Sequence, residues 1–117
     1  MKYTLEDLKN LDLIEQLKPS ELEDIVHQLT DNIEMETGIK KEDLEFFREQ
    51  QKKMKETKKY QEASFVVKKI TDKIMSIQPV RRGGYAYADY LTKVLLKTMY
   101  DIDWKTSNEL NPDICFD

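Results

Sequence analysis

Apolar residues fall at spacings of three and four in four stretches of this chain, the mark of helices that bury one face. In the first stretch, about 4–17, the stripe is Leu5, Leu8, Leu11 and Ile14. Thr4 and Asp7 form a Thr-x-x-Asp variant of the capping box. Asn10 or Asp12 is placed to interrupt this helix, and Pro19 ends the stretch while turning Lys18 away from helix. In the second stretch Ser20 and Glu23 have capping-box spacing. Leu22, Ile25, Val26, Leu29 and Ile33 make one stripe, and Gly38 is a natural stop, so the pattern predicts a helix near 21–36.

The third stretch, 39–78, contains neither Gly nor Pro. Leu44, Phe47 and Met54 share one face. Tyr60, Ala63, Val67, Ile70, Ile74 and Ile77 form a heptad-like seam in a different register. The polar run Lys55-Glu56-Thr57-Lys58-Lys59 separates the two stripes, and a kink or break is expected there. Gln78-Pro79-Val80-Arg81-Arg82-Gly83-Gly84 reads as the main loop. A fourth helix, about 85–100, is apolar around most of its circumference through Leu91, Val94, Leu95, Leu96 and Met99, which predicts a buried, central element. From Asp101 onward the chain reads as irregular, docked by Trp104 and Phe116. The fold expected is all-α: a single domain over 1–117, a bundle of four to five helices with an irregular C-terminal tail.

Charge changes this picture. The net charge is −4, but it is segregated. Residues 1–47 carry 5 basic and 13 acidic side chains, residues 48–82 carry 11 and 4, and residues 83–117 carry 3 and 6. The plain reading is that the basic middle folds against the acidic first third. The alternative is that it serves an anionic partner.

Candidate chemistry is sparse. The chain has one histidine, His27, and one cysteine, Cys115, and chain ends near position 115 tend to fray, which disfavours a catalytic pair. Glu23, His27 and Asp31 share a helix face, but a metal site normally draws ligands from more than one element, so no metal or other cofactor is expected. No Gly-rich phosphate loop of Walker or dinucleotide type occurs. Two features remain. Lys55, Lys58 and Lys59 lie in a lysine-rich run suited to sequence-blind phosphate contacts. Arg81, Arg82, Tyr85, Tyr87 and Tyr90 cluster around a Gly-Gly turn before the apolar helix, and Arg and Tyr are the residue types that dominate binding hot spots.

These residues point to a protein that is not an enzyme: a small regulatory protein or inhibitor acting by protein–protein interaction, with the 79–90 junction as its hot spot. The rival reading is a binder of an anionic ligand, nucleic acid or nucleotide, through the basic 48–82 region and the 81–85 loop. The seam from Tyr60 to Ile77 must be covered by the chain's own helices or by a second copy, so a homodimer is weighed. A lone cysteine and an N-terminus without an apolar signal core favour a cytoplasmic setting. No run of 18 apolar residues predicts a membrane span.

Overall fold

Thr4 and Asp7 do close a reciprocal cap. The Thr4 N–H donates to Asp7 Oδ2 at 2.8 Å and the Asp7 N–H to Thr4 Oγ1 at 3.3 Å. What they cap is a single 3₁₀ turn, Asp7–Lys9, because Asn10 then turns extended. The Asn10 side chain accepts the N–H groups of Asp12 and Leu13, at 3.0 and 3.3 Å, and so starts α1, Leu11–Gln16. The interruption expected at Asn10 is therefore a helix start. The computed structural model describes residues 3–30, 33, 38–76 and 84–110, with only the helical backbone at 84–86 and 108.

α2 spans Pro19–Leu29, which differs from the 21–36 expected at both ends. Pro19, with its φ preset and no N–H to satisfy, takes the first helical position. The Lys18 N–H donates to Glu21 Oε1 at 3.2 Å, so Glu21 does what Glu23 was expected to do and Ser20 lies inside the first turn. At the other end the Thr30 N–H and hydroxyl both donate to the Val26 carbonyl, at 3.0 and 2.7 Å, and Thr30 leaves the helix in extended conformation. Gly38 does adopt positive φ (+71°), but in the connection between α2 and α3 and not as the stop of α2.

The break expected at 55–59 is present. α3 covers Lys41–Lys55 and α4 covers Lys58–Met75. The Thr57 hydroxyl serves both helices, donating to the Met54 carbonyl at 2.6 Å and accepting the Tyr60 N–H at 3.2 Å. α5, Gly84–Tyr100, ends in a left-handed cap. The Ile102 N–H reaches back to the Leu96 carbonyl and the Asp101 N–H to the Lys97 carbonyl, with Asp101 at φ +54°. After this turn one further helical turn, α6, covers Ser107–Leu110, so the tail is less irregular than expected.

The fold is all-α, with no strand among the described residues. The seam residues Ala63, Val67, Ile70 and Ile74 are buried in one cluster with Ile14, Leu22, Ile25, Val26, Leu91, Leu95, Leu96 and Met99. α4 packs against α1, α2, α3 and α5, which makes α4 the hub rather than the more apolar α5. α5 is buried widely because the chain returns over it: Ile102 and Leu110 are buried as well. Trp104 docks the returning segment by stacking on Tyr60 of α4, with centroids 5.0 Å apart. The other expected anchor, Phe116, lies outside the described residues, as do Cys115, the last seam residue Ile77 and residues 78–83 of the expected 78–84 loop. Among the described residues no helix is long and apolar enough to cross a membrane.

Ile70 tests the hub directly. Its truncation to Ala should cost about 2–5 kcal/mol, since the helices packed around it relax only partly into the void. Phe65→Ala, on the opposite face of the same helix, should stay within about 0.5 kcal/mol of the parent. Urea unfolding of both variants, followed by circular dichroism, checks the contrast.

Candidate functional site

The two site clusters expected from sequence do not form one site. Trp104, just past the end of α5, stacks on Tyr60 at the start of α4, so α4 and α5 run antiparallel. Lys55, Lys58 and Lys59 therefore sit exposed at one end of this pair. Tyr87 and Tyr90, at the start of α5, lie at the other end, about 20 Å away along the helix. Arg81 and Arg82 lie outside the described residues, and so does the side chain of Tyr85.

Tyr87 is the expected site residue with the most defined surroundings. Its hydroxyl donates to Glu23 Oε2 at 2.8 Å and lies 3.1 Å from His27 Nε2. Glu23 and His27 are one turn apart on α2, so both reach the same point on α5. With its proton given to Glu23, the phenol can only accept from His27, and Nε2 must carry a hydrogen. Burial raises the Tyr87 phenol pKa, and the hydrogen bond and negative charge of Glu23 raise it further. Such a phenol is neither base nor nucleophile near neutrality, so the arrangement ties α2 to α5. Asp31, the third residue of the Glu23–His27 face, lies outside the described residues. Among those described, no three His, Cys, Asp or Glu side chains converge as metal ligands.

A second polar cluster lies under the returning segment, where sequence reasoning placed nothing. Lys93, inside the apolar run of α5, pairs with Glu109 of α6 at 2.5 Å, their side chains 8% and 1% exposed. The other Glu109 oxygen accepts the Thr106 N–H at 2.8 Å, and the Glu109 N–H donates to Thr106 Oγ1 at 3.2 Å. Burial raises the Asp89 pKa, while bonds from the Ser107 side chain and backbone oppose the rise. From α3, Arg48 donates to the Leu110 carbonyl at 2.6 Å and Gln51 accepts the Lys105 N–H at 2.5 Å. No buried side-chain nitrogen or oxygen among the described residues lacks a partner. A carboxylate so fully engaged works as a clasp and not as an acid or base. Thr106-Ser107-Asn108-Glu109 before Leu110 is a capping box, and Lys93 is the one charge amid apolar neighbours; together they were the legible signal.

The exposed surface carries a third feature. Phe65 is 54% exposed, Phe46 58% and Leu11 40%. Phe65 borders two grooves. One lies along α4 beside Thr92 of α5, and the other lies between α4 and α1 beside Leu11 and Ile14. The Lys69 ammonium stands 5.5 Å from the Phe65 ring centre. The sequence signal was that Phe65 lies off the Tyr60–Ile77 seam with two lysines close behind it. Among the described residues no ion pair joins a lysine of α4 to a carboxylate of the first third. The pairs are Lys9–Glu6, Lys68–Asp72, Lys93–Glu109 and Lys97 with Asp101 and Asp103. α4 of the basic middle does fold against α1 and α2 of the acidic first third, as the plain reading of the charge pattern expected, but through apolar packing and the Lys73 bond to the Glu15 carbonyl.

Two outcomes follow for the buried groups. Lys93→Met alone should destabilise by about 3–5 kcal/mol, because it strands a buried carboxylate, whereas Lys93→Met with Glu109→Leu should recover most of the loss. Thermal and urea unfolding of the single and double variants measure this. For Tyr87, a folded pKa above the unfolded value near 10 means that its stabilisation is complete below that pH and is lost as pH rises beyond it. Absorbance titration of the phenols should show a late-ionising tyrosine that Tyr87→Phe removes, and the variant should lose less stability than the parent above pH 10.

Comparison of the chain with family models, with curated proteins and with solved structures finds no match.

Proposed function

We propose that this chain is a non-catalytic regulatory or inhibitory protein that acts by binding another protein, and that the outer face of α4 is its contact surface. The observation that carries this reading is Phe65, held more than half exposed on the helix whose opposite face is the centre of the core. Taking its exposed half out of water is worth about 1 kcal/mol, which a partner can supply. The polar groups with the most defined geometry support a binding role over catalysis. His27 and Glu23 are engaged by Tyr87, and Glu109 is engaged by Lys93 and Thr106. The single cysteine fits a reducing, cytoplasmic setting. The homodimer loses its main motive, because Ala63, Val67, Ile70 and Ile74 are covered by the chain's own helices.

The second reading, an anion binder, is favoured by one observation. Lys52, Lys53, Lys55, Lys58 and Lys59 are all exposed around the α3–α4 break and make no ion pair among the described residues. Such a corner would give weak, salt-sensitive phosphate contacts without base specificity.

Photo-crosslinking separates the readings. Benzoylphenylalanine placed singly at positions 46, 65 and 90, and irradiated in cells, should yield a protein adduct of discrete mass from at least one of them. Fluorescence anisotropy with a short DNA duplex should show binding that fades between roughly 50 and 150 mM salt. Absence of any protein adduct, together with DNA binding that weakens with salt yet is still measurable at about 150 mM, would overturn the proposal in favour of the second reading.

A further inference from the structure

We infer that the Phe65 ridge receives an acidic, amphipathic helical segment of the partner protein. The inference rests on the binding role proposed above and names the chemistry of the occupant. The two grooves flank Phe65, one on each side. The first is lined by Ser64, Val67, Lys68, Thr71 and Thr92. The second is lined by Leu11, Ile14, Glu15, Lys69 and Lys73. Each thus combines apolar carbon with at least one lysine.

The charge here is not spent internally. α4 holds five lysines against Glu62 and Asp72, in a chain whose net charge is −4. Lys69 has no carboxylate partner among the described residues, and its contact is the Phe65 ring. Lys68 reaches Asp72 at 3.6 Å, with both side chains largely in water, where such pairs are weak. Lys73 donates to the Glu15 backbone carbonyl at 2.5 Å and so leaves the Glu15 carboxylate unbridged. A ligand bearing carboxylates is drawn to this face, and an acidic strand without apolar side chains would leave Leu11 and Phe65 wet. A helix with Leu or aromatic side chains on one face and Asp or Glu beside them satisfies both. The grooves also favour a helix over a lipid surface, because apolar side chains that straddle a ridge suit a row of knobs.

The test uses the full chain and a display library of helical peptides of about 16 residues, some 24 Å of helix. One face is varied among Asp, Glu, Lys and Arg, and the other among Ala, Leu, Phe and Trp. Selected peptides should be rich in Asp and Glu with Leu, Phe or Trp at i and i+4. Their affinity by anisotropy should fall about tenfold or more with Phe65→Ala and also with Lys69→Glu, while Phe46→Ala leaves it unchanged. The unfolding transition of each variant shows that it remains folded.

Several results would overturn the inference. These are selection of Lys- or Arg-rich peptides, selection of none, and peptides indifferent to Phe65. Phe65-dependent sedimentation with phosphatidylserine vesicles would assign the ridge to a membrane. A mass by light scattering of twice 13.9 kDa that Phe65→Ala halves would assign it to a second copy. A protein crosslink from position 46 or 90 alongside any of these would leave the binding role standing and remove only this occupant.

Discussion

The apolar stripe of α4 is the constraint on which the rest of this structure depends. Ala63, Val67, Ile70 and Ile74 recur every three to four residues on one face, and α1, α2 and α5 each add aliphatic side chains to the cluster they form. α1 and α2 are too short to be stable alone, since isolated helices of their length are marginal in water. The connections follow from that demand. Asn10 ends the first turn so that α1 can approach α4, and Thr57 breaks the long basic segment so that α3 can leave the line of α4 and meet the returning segment. The Lys93–Glu109 pair and the Trp104–Tyr60 stack then hold the returning segment over α5.

One consequence concerns where function can sit. A helix that is packed on its inner face by three neighbours presents its outer face as a rigid strip. Side chains there are positioned by the fold without contributing much to it. Phe65 and the lysines behind it occupy that strip. The Tyr87–Glu23–His27 arrangement and the clasp under the returning segment are different in kind, because their polar atoms are turned on one another. The contrast between groups satisfied within the chain and groups left facing water is what assigns stability to the one set and recognition to the other.

Much of the fold was legible in the sequence, and the exceptions have physical causes. The α4 seam and the break before it could be read because the stripe changes register across a wholly polar run, and no tertiary contact is needed to see that. The end of α2 could not. Leu29 and Ile33 continue the periodicity, yet Thr30 folds its hydroxyl back on the Val26 carbonyl and leaves the helix. The hub was misplaced because hydropathy measures how much of α5 is covered and not by what. Part of its cover is the returning segment, whose docking depends on Lys93 meeting Glu109 across sixteen residues. At the candidate site Tyr87 was singled out by residue type alone. Its partners lie some sixty residues away and follow from α2 lying against α5, which no local spacing encodes. Phe65 was passed over because it stands beside Val66 and Val67 and off the seam. Its position off the stripe, with Lys68 and Lys69 following, is the property that matters.

Amine footprinting tests the central claim, that α4 divides into a sealed inner face and a recognition outer face. Brief acylation of lysines, read by mass spectrometry, is compared between the purified chain and the chain labelled inside cells. Lys93 is buried in the chain itself and should react slowly in both. Lys68 and Lys69 should react readily in the purified chain and be protected in cells, while Lys52 and Lys53 react alike in both settings. Equal reactivity of Lys68 and Lys69 in the two settings, with protection confined to the α3–α4 corner, would contradict the account.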